Sequence, residues 1–400
     1  MYLVPLELLT RGQQAVHLFF VLSGFVLSVS FIAKLYNVEV ISDSIQDDDV
    51  RSQKMKDVQY SGFLSISSTS CRRFARLFVP CFISGWIAFL STEILNTHVD
   101  CAKLLNSDML KDKGWLSRVC RAKASDTEST LLWKYIQIAT IKVWDGGSVN
   151  PYNRAMWTMH VELAGSAIVM FTLLMVANIR WRYRTAALIA AFMFTFNASA
   201  DQTTNDYSSF YSGMLIAQLI VYPPLVNFSL KAWRPQWLGV EWYGVVLQSG
   251  FAILGMYLLS VPYGADNGEN RYSWVLKFFK PFGLDVVKAA NRIGALIFML
   301  VLAFSPGMQR FLTHRVFRFM GRISFLLYLL HFEVLMTVGV PVAYTMDIHD
   351  VLPYEHARYV ASAVCVVVSV VAGYFATILI DEPVQRGLRL FEKRLKIVAR

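Results

Sequence analysis

The sequence predicts an all-α protein, a polytopic integral membrane bundle of about nine transmembrane helices, and three observations support this class. First, the 400 residues are 55% hydrophobic and only 16% charged, and the mean hydropathy is +0.43. Second, apolar runs close to the roughly 20 residues that cross a bilayer recur along the whole chain. Third, the basic residues behind the net charge of +10 stand in short clusters between those runs. Such clusters indicate membrane topology, and they argue against a nucleic-acid partner, which a continuous basic face would favour.

The opening apolar run carries no formal charge between Arg11 and Lys34, which is long enough for the first span. By the same criterion, further spans are predicted at residues 77–95, 155–178, 185–200, 207–226, 240–261, 289–305, 323–343 and 359–380. The run at 185–200 is the shortest of these.

Lysine and arginine in the connections predict an outward start and a cytosolic C-terminus. The connections assigned to the inside include RRFAR at 72–76 and RWRYR at 180–184. The segment 37–70, with DDD and SISSTS, is predicted to be a flexible cytosolic loop. The segment 96–154 is predicted to be an extramembrane element on the outer side.

Glu162, in WTMHVELAGS at 157–166, lies about two turns into a predicted span. A charged group there is costly and marks a reaction, a substrate pathway or an ion pair. Ser166 follows one turn later, and Gly165 would let another helix approach closely. A functional role is favoured over the alternative, a structural carboxylate paired with an arginine.

His331, in GRISFLLYLLHFEV at 321–334, falls near the middle of another span. Tyr328 and Ser324 precede it by three and seven residues, so the three side chains share one helix face and are expected to form a hydrogen-bonded strip. A packing histidine and a functional one are equally compatible with this pattern. Arg73 and Arg76, one turn apart, either anchor their helix at the cytosolic surface or clamp phosphates.

The sequence predicts no metal site. His349 and His356 flank Pro353 at a spacing that matches no metal motif, and the five cysteines show no CxxC pattern.

The order of six stretches resembles acyltransferase family 3 of integral membrane proteins, in particular its fungal branch. The stretches are AVHLFFVLSGFVLS, RRFARLFVP, WTMHVELAGS, SSFYSGMLIAQL, GRISFLLYLLHFEV and DEPVQR. The resemblance implies one membrane acyltransferase domain over residues 1–400, which moves an acyl group, commonly acetyl, from cytosolic acyl-CoA. The implied acceptor is a hydroxyl of a carbohydrate, a lipid or a small metabolite.

Site residues follow from the same resemblance. Arg73 and Arg76 would hold the phosphates of acyl-CoA, and Glu162 and His331 would act in catalysis. The substrate path would be lined by Ser23, Gly24, Trp157 and Tyr328.

Two departures from the family pattern stand out. Family members normally begin with one more helix, which carries an arginine and a histidine proposed to act in catalysis, and this sequence starts after it. Reduced turnover is therefore expected from the chain as it stands, and His17, in the following helix, does not inherit the role. His160 stands where fungal relatives have a proline.

Three alternatives stay open at the level of sequence. The enzyme alternative is a membrane-bound O-acyltransferase of the other common type. The others are a transporter and a non-catalytic membrane binding protein, because intramembrane glutamate and histidine also suit proton-coupled transport.

Overall fold

The computed structural model describes residues 12–44, 47–94, 133, 136, 153–197, 206–222, 241–262, 272–280, 285–348 and 354–394. Every element in these ranges is helical, and no strand occurs among them. The all-α class is therefore confirmed. The predicted extramembrane element at 96–154 lies outside the described residues, apart from Trp133, Ile136 and the last two positions.

The chain divides into two compact units. Unit 1 contains the residues up to Ser70 and those from Val161 to Thr313, and unit 2 contains Cys71–His160 and His314–Leu395. The first seven helices are α1 (Gly12–Ser44), α2 (Asp48–Phe89), α3 (Trp157–Met175), α4 (Trp181–Asn197), α5 (Tyr207–Val221), α6 (Glu241–Leu259) and α7 (Ser273–Phe279). The remaining six are α8 (Val286–Phe304), α9 (Pro306–Leu312), α10 (Arg315–Val334), α11 (Val340–Ile348), α12 (Tyr354–Ala376) and α13 (Glu382–Arg394).

Within the described ranges, four short helical segments adjoin these helices. One 3₁₀ turn, Arg154–Met156, leads into α3. Three π-helical segments, all in unit 2, cover Leu90–Ile94 after α2, Leu335–Gly339 between α10 and α11, and Thr377–Asp381 between α12 and α13.

Six helical stretches among the described residues are long and apolar enough to cross a membrane, which supports the membrane character. They are Ala15–Ile41, Asp48–Thr92, Trp157–Met175, Val286–Phe304, Arg315–Met346 and Tyr359–Arg394. Two shorter apolar helices, Tyr207–Val221 and Val246–Leu259, correspond to predicted spans. The predicted span at 185–200 corresponds to α4, whose 17 residues extend about 26 Å, short of a roughly 30 Å hydrocarbon core. The predicted count of about nine is not confirmed.

Much of the predicted loop at 37–70 is helical instead, because α1 continues to Ser44 and α2 begins at Asp48. The acidic tract that suggests disorder is a helix start. Asp47 Oδ1 accepts the backbone N–H groups of Asp49 and Val50 at 3.0 and 3.2 Å, as an N-cap residue does. Lys34 Nζ on α1 donates to the backbone oxygen of Ser61 on α2 at 2.8 Å. The cytosolic location of this segment stays a prediction.

Unit 1 is organised around the contact between α1 and α5. Phe20 and Phe210 stack at its centre, with ring centroids 5.2 Å apart, and both are fully buried. A side chain at Gly24 would overlap the backbone carbonyl of Phe210, and one at Gly213 would overlap the backbone of α1. The two glycines therefore let the helix backbones approach closely, as small residues do in membrane bundles.

In unit 2, α10 packs against α12. Gly373 on α12 lies against the backbone of Leu327 on α10, where an added Cβ would come within 3.1 Å of the Leu327 Cα. This contact fixes the helix that carries the GRISFLLYLLHFEV stretch.

Candidate active site

The first polar site lies inside unit 1 and joins two residues that the sequence placed in separate motifs. Ser23 Oγ on α1 donates a hydrogen bond to Glu162 Oε1 on α3 at 2.6 Å. Glu162 is completely buried and Ser23 is 5% exposed. Desolvation of a buried carboxylate costs roughly several kcal/mol. The charge-assisted hydrogen bond from Ser23 on the neighbouring helix offsets part of that cost. The sequence singles out both Glu162 and Ser23, but it does not predict that they are partners.

Two glycines lie beside this pair. Gly24, next to Ser23, lies in the backbone contact with α5, and Gly165, three residues after Glu162, lies against the Phe210 ring. Ser166 Oγ bonds back to the Glu162 carbonyl at 2.7 Å. Gly24 therefore has a packing role here, and its place on a substrate path stays a prediction.

A second buried polar cluster in unit 1 joins His17, Asp206 and Arg292, from α1, the start of α5 and α8. His17 Nδ1 lies 3.7 Å from Asp206 Oδ1, and Arg292 Nη2 lies 3.5 Å from the same oxygen. All three residues are less than 9% exposed. Burial raises the pKa of Asp206, and the positive charges of Arg292 and Lys288 oppose that rise.

Sequence reasoning does not find this cluster, because it singles out His17 without a partner. The available signal is Arg292 inside the predicted span 289–305, since an intramembrane arginine requires a carboxylate. Because His17, Asp206 and Arg292 all lie near the N-terminal ends of their helices, those ends of α1, α5 and α8 meet at one place in unit 1.

In unit 2, His331 is half-buried on α10, and its ring orientation is defined. Its Nδ1 lies 2.5 Å from the backbone oxygen of Tyr328. A carbonyl oxygen only accepts, so the proton is assigned to Nδ1 and the lone pair to Nε2. Nε2 is therefore the basic atom that His331 can offer to a substrate.

The predicted strip of Ser324, Tyr328 and His331 does not form. Tyr328 Oη donates to the backbone oxygen of Ala155 at 2.7 Å, so Thr158 Oγ1, 3.0 Å away, donates to Tyr328. Ser324 is exposed and its hydroxyl bonds to the Gly321 carbonyl of its own helix. The Tyr328 hydroxyl thus fixes the start of α3 against α10, close to half-buried Trp157.

The arginines of RRFAR have carboxylate partners within unit 2. Arg76 Nε lies 3.6 Å from Asp381 Oδ1, and Arg72 Nε lies 3.3 Å from Glu392 Oε1. Arg73, between them, is half-buried. The Arg76 side chain is still 48% exposed, so it remains accessible to an anion. Its predicted role on donor phosphates stays a prediction.

The DEPVQR stretch gains a structural role from these contacts. Asp381 receives Arg76, and Glu382 accepts a hydrogen bond from Arg322 Nε at 3.0 Å. Arg322 belongs to the GRISF stretch, so three of the stretches that carry the family resemblance are joined by ion pairs.

A further buried carboxylate in unit 2 was not predicted to have a partner. Glu333 on α10 is 6% exposed and accepts a hydrogen bond from Ser91 Oγ, which lies in the π segment after α2. In chemistry this pair matches Ser23 and Glu162 of unit 1. Among the described residues, no group of three or more histidine, cysteine, aspartate or glutamate side chains could hold a metal ion.

Comparisons with known proteins confirm the resemblance to an acyltransferase family. A family model described as an acyltransferase domain matches residues 2–380. The O-acetyltransferase PaAT-1 of Phomopsis amygdali is 27% identical over 355 residues, which is 84% of this chain and 64% of that protein. The chain therefore corresponds to a little under two-thirds of the length of this relative. No solved structure matches the chain.

Proposed function

We propose, from the premise that this chain belongs to the acyltransferase domain family, that it transfers an acetyl group from acetyl-CoA to a hydroxyl group of an acceptor. The observation that carries the proposal is the family match over residues 2–380. The name of the relative PaAT-1, an O-acetyltransferase, supports oxygen as the acceptor atom. Among the described residues, six helical stretches that are long and apolar enough to span a membrane support a site within a bilayer. The C-terminus is proposed to lie in the cytosol, because lysine and arginine are concentrated in the connections assigned to that side. The proposed acceptor is a carbohydrate, a lipid or a small metabolite.

The reaction forms one bond and breaks one. The acceptor oxygen attacks the thioester carbonyl, the new C–O bond forms, the C–S bond breaks, and the hydroxyl proton ends on the sulfur of CoA. A basic group must take that proton during attack. In the proposed site the Glu162 carboxylate accepts hydrogen bonds from two hydroxyls, that of Ser23 and that of the acceptor. The carboxylate takes the proton of the acceptor hydroxyl during attack.

His331 is the second proposed catalytic residue, because its Nε2 carries a lone pair. Glu162 belongs to unit 1 and His331 to unit 2. The catalytic role of each residue is therefore tested by a separate substitution. Tyr328, whose ring centroid lies 5.5 Å from that of His331, and Trp157, at the start of α3, are proposed to line the path of the donor. Arg73 and Arg76 are proposed to bind its phosphates.

The experiment is turnover by the purified full chain in lipid nanodiscs. Free CoA thiol is measured with acetyl-CoA and an acceptor from each of the three classes, and the acetylated product is identified by mass spectrometry. Acceptor-dependent CoA release with matching product supports the proposal. Solute uptake into proteoliposomes without any CoA release would overturn it and support the transporter alternative, since buried carboxylates also suit transport.

His331→Asn and His331→Gln separate a base from a packing residue. The asparagine amide occupies the place of Nδ1 and retains a donor for the Tyr328 carbonyl, but it provides no group at the place of Nε2. If Nε2 acts as a base, both variants lose kcat by about 10²-fold or more. Wild-type kcat in His331→Asn would show that only the hydrogen bond to Tyr328 matters.

A further inference from the structure

A cavity of about 540 Å³ opens in unit 1, in the size range of small-molecule sites. Its wall is formed by the C-terminal part of α1, which includes Glu39 and Asp43, by part of α2, and by residues 177–183 before and at the start of α4. The sequence assigns both α1's end and the RWRYR run to the cytosolic side, where acyl-CoA is found. The positive-inside rule accounts for the arginines of RWRYR as membrane anchors, and it predicts no ligand for them.

The wall of the cavity has a surplus of positive charge. Arg184 is completely buried and its Nη2 lies 2.6 Å from Glu39 Oε1, so the charge of Glu39 is neutralised inside the protein. Arg180 and Arg182 are exposed, and within the described part of the chain neither has a carboxylate partner. Asp43 is the remaining acid on the wall. With two positive charges from Arg180 and Arg182 and one negative charge from Asp43, these residues give the wall a net charge of about +1.

The geometry of α4 adds to this charge. The first backbone N–H groups of the 17-residue helix lie at the same wall, and the positive end of a helix dipole favours anions. The guanidinium of Arg182 lies over the Trp181 ring, 5.4 Å from its centroid, which holds that side chain in place. Guanidinium groups bind phosphate through paired N–H donors.

An aromatic surface accompanies the arginines. Tyr183, which also lines the cavity, is 72% exposed, so its ring face is available to a planar ligand. Stacking of a base on an aromatic side chain contributes to nucleotide binding. Phosphate-binding arginines beside an open aromatic ring match the two chemical parts of a phosphorylated adenosine.

The distance to the polar pair of unit 1 suits a long donor. Leu35, on the cavity wall, and Ser23 lie twelve residues apart on the same helix, which is about 18 Å along its axis. A ligand with its charged head in the cavity would need an extended arm to bring a reactive carbonyl to Ser23 and Glu162. Acyl-CoA has this form, with the thioester at the end of a pantetheine arm.

We infer that the cavity binds the adenosine bisphosphate end of acyl-CoA, with Arg180 and Arg182 on its phosphates and Tyr183 stacked on the adenine. This inference rests on the proposed function, because it assumes a CoA donor. It competes with the assignment of the donor phosphates to Arg73 and Arg76 of unit 2, so both pairs enter the test.

The test measures binding, which does not require turnover. The purified full chain in phosphatidylcholine nanodiscs is titrated calorimetrically with adenosine 3′,5′-bisphosphate. Arg180→Gln with Arg182→Gln is expected to weaken binding about tenfold per arginine, since tenfold corresponds to about 1.4 kcal/mol, the scale of one charge-assisted hydrogen bond. The matched control, Arg315→Gln with Arg318→Gln on exposed positions of α10, removes the same charge and should leave binding unchanged.

Two arms separate a nucleotide from a lipid headgroup, which offers the same phosphate chemistry. Tyr183→Ala should weaken the bisphosphate several-fold and leave inorganic pyrophosphate unaffected, because only the nucleotide has a base to stack. The second arm compares binding of the wild type and the Arg180/Arg182 variant to vesicles that contain phosphatidylglycerol. Loss of vesicle binding alone, with bisphosphate affinity retained, would overturn the inference and identify a lipid site.

Kinetics then distinguish this inference from the proposed function. If the chain transfers acetyl groups but the Arg180/Arg182 variant keeps the wild-type KM for acetyl-CoA, the inference fails and the function stands. If Arg73→Gln with Arg76→Gln abolishes bisphosphate binding and the cavity variant does not, the inference again fails. If bisphosphate binds through Arg180 and Arg182 but no acceptor is acetylated, the cavity assignment stands and the proposed function fails.

Discussion

Glu162→Gln tests the proposed chemistry most directly, because it changes the charge of the side chain but hardly its shape. The carboxylate is completely buried and accepts the Ser23 hydroxyl at 2.6 Å. A glutamine oxygen can accept the same hydrogen bond, so the contact between α1 and α3 is kept. The negative charge and the capacity to take a proton are lost.

The expected effects on activity and on stability have different signs. A positioned base contributes about 10²–10⁴-fold, so kcat should fall by that factor, which is about 2.7–5.4 kcal/mol of activation free energy. A neutral hydrogen bond is about half as strong as a charge-assisted one, so the bond to Ser23 weakens by about 1 kcal/mol. Removal of the buried charge removes its desolvation penalty, which is roughly several kcal/mol. The free energy of unfolding should therefore stay the same or rise.

The assay pairs CoA release with thermal denaturation of the same nanodisc sample. Glu333→Gln is the matched control, because Glu333 is also buried and also accepts from a serine, Ser91, but has no proposed part in catalysis. The reasoning is refuted if Glu162→Gln keeps the wild-type kcat. It is also refuted if both variants lose activity equally with equal losses of Tm, since both carboxylates would then be structural.

Three further predictions concern unit 1. Gly213→Ala places a methyl group against the α1 backbone; overpacking costs about 1–3 kcal/mol, so Tm should fall by several degrees, and an unchanged Tm would contradict the close contact. Asp206→Asn removes the carboxylate that buried Arg292 contacts; breaking such a pair costs about 3–5 kcal/mol in denaturant unfolding, and a loss below about 1 kcal/mol would mean that the pair contributes little. Arg184→Met leaves Glu39 without the buried cation that neutralises its charge; adding Glu39→Gln should recover part of the lost stability, whereas simple additivity of the two changes would show that they are not coupled.

The sequence predicts the individual polar residues of unit 1 better than their partners. Glu162 is recognisable because a carboxylate within an apolar run is costly, and Gly24 because small residues bring helices together. The bond from Ser23 to Glu162 joins positions 139 residues apart, and no local pattern encodes which helices become neighbours. The partner of Arg292 is missed for the same reason, since Asp206 lies between two predicted spans.

Helix ends and lengths are the other part that the sequence predicts poorly. Composition finds apolar runs, but whether a run becomes a full span depends on where capping and tertiary contacts end the helix. Asp47 illustrates the difficulty, because an acidic tract that suggests a solvated loop provides the N-cap of the longest helix in the described part of the chain. The partners of Arg72 and Arg76 show a related limit, since charge clusters that mark the membrane surface also form ion pairs with distant carboxylates.

Three π-helical segments occur in the described part of unit 2, and they have a consequence for how this chain aligns with its relatives. A single π turn is an α-helix that holds one extra residue, and each residue turns the following helix by about 100°. Removal of one residue from 90–94, 335–339 or 377–381 would restore a plain α-helix but rotate everything after it. Single-residue gaps between homologous sequences are therefore expected at these three places, and Glu333 and Asp381 lie within or beside two of them. In a homologue that lacks the extra residue, the helix after this point would be rotated. A different set of side chains would then face the neighbouring helices, even if the rest of the sequence were similar.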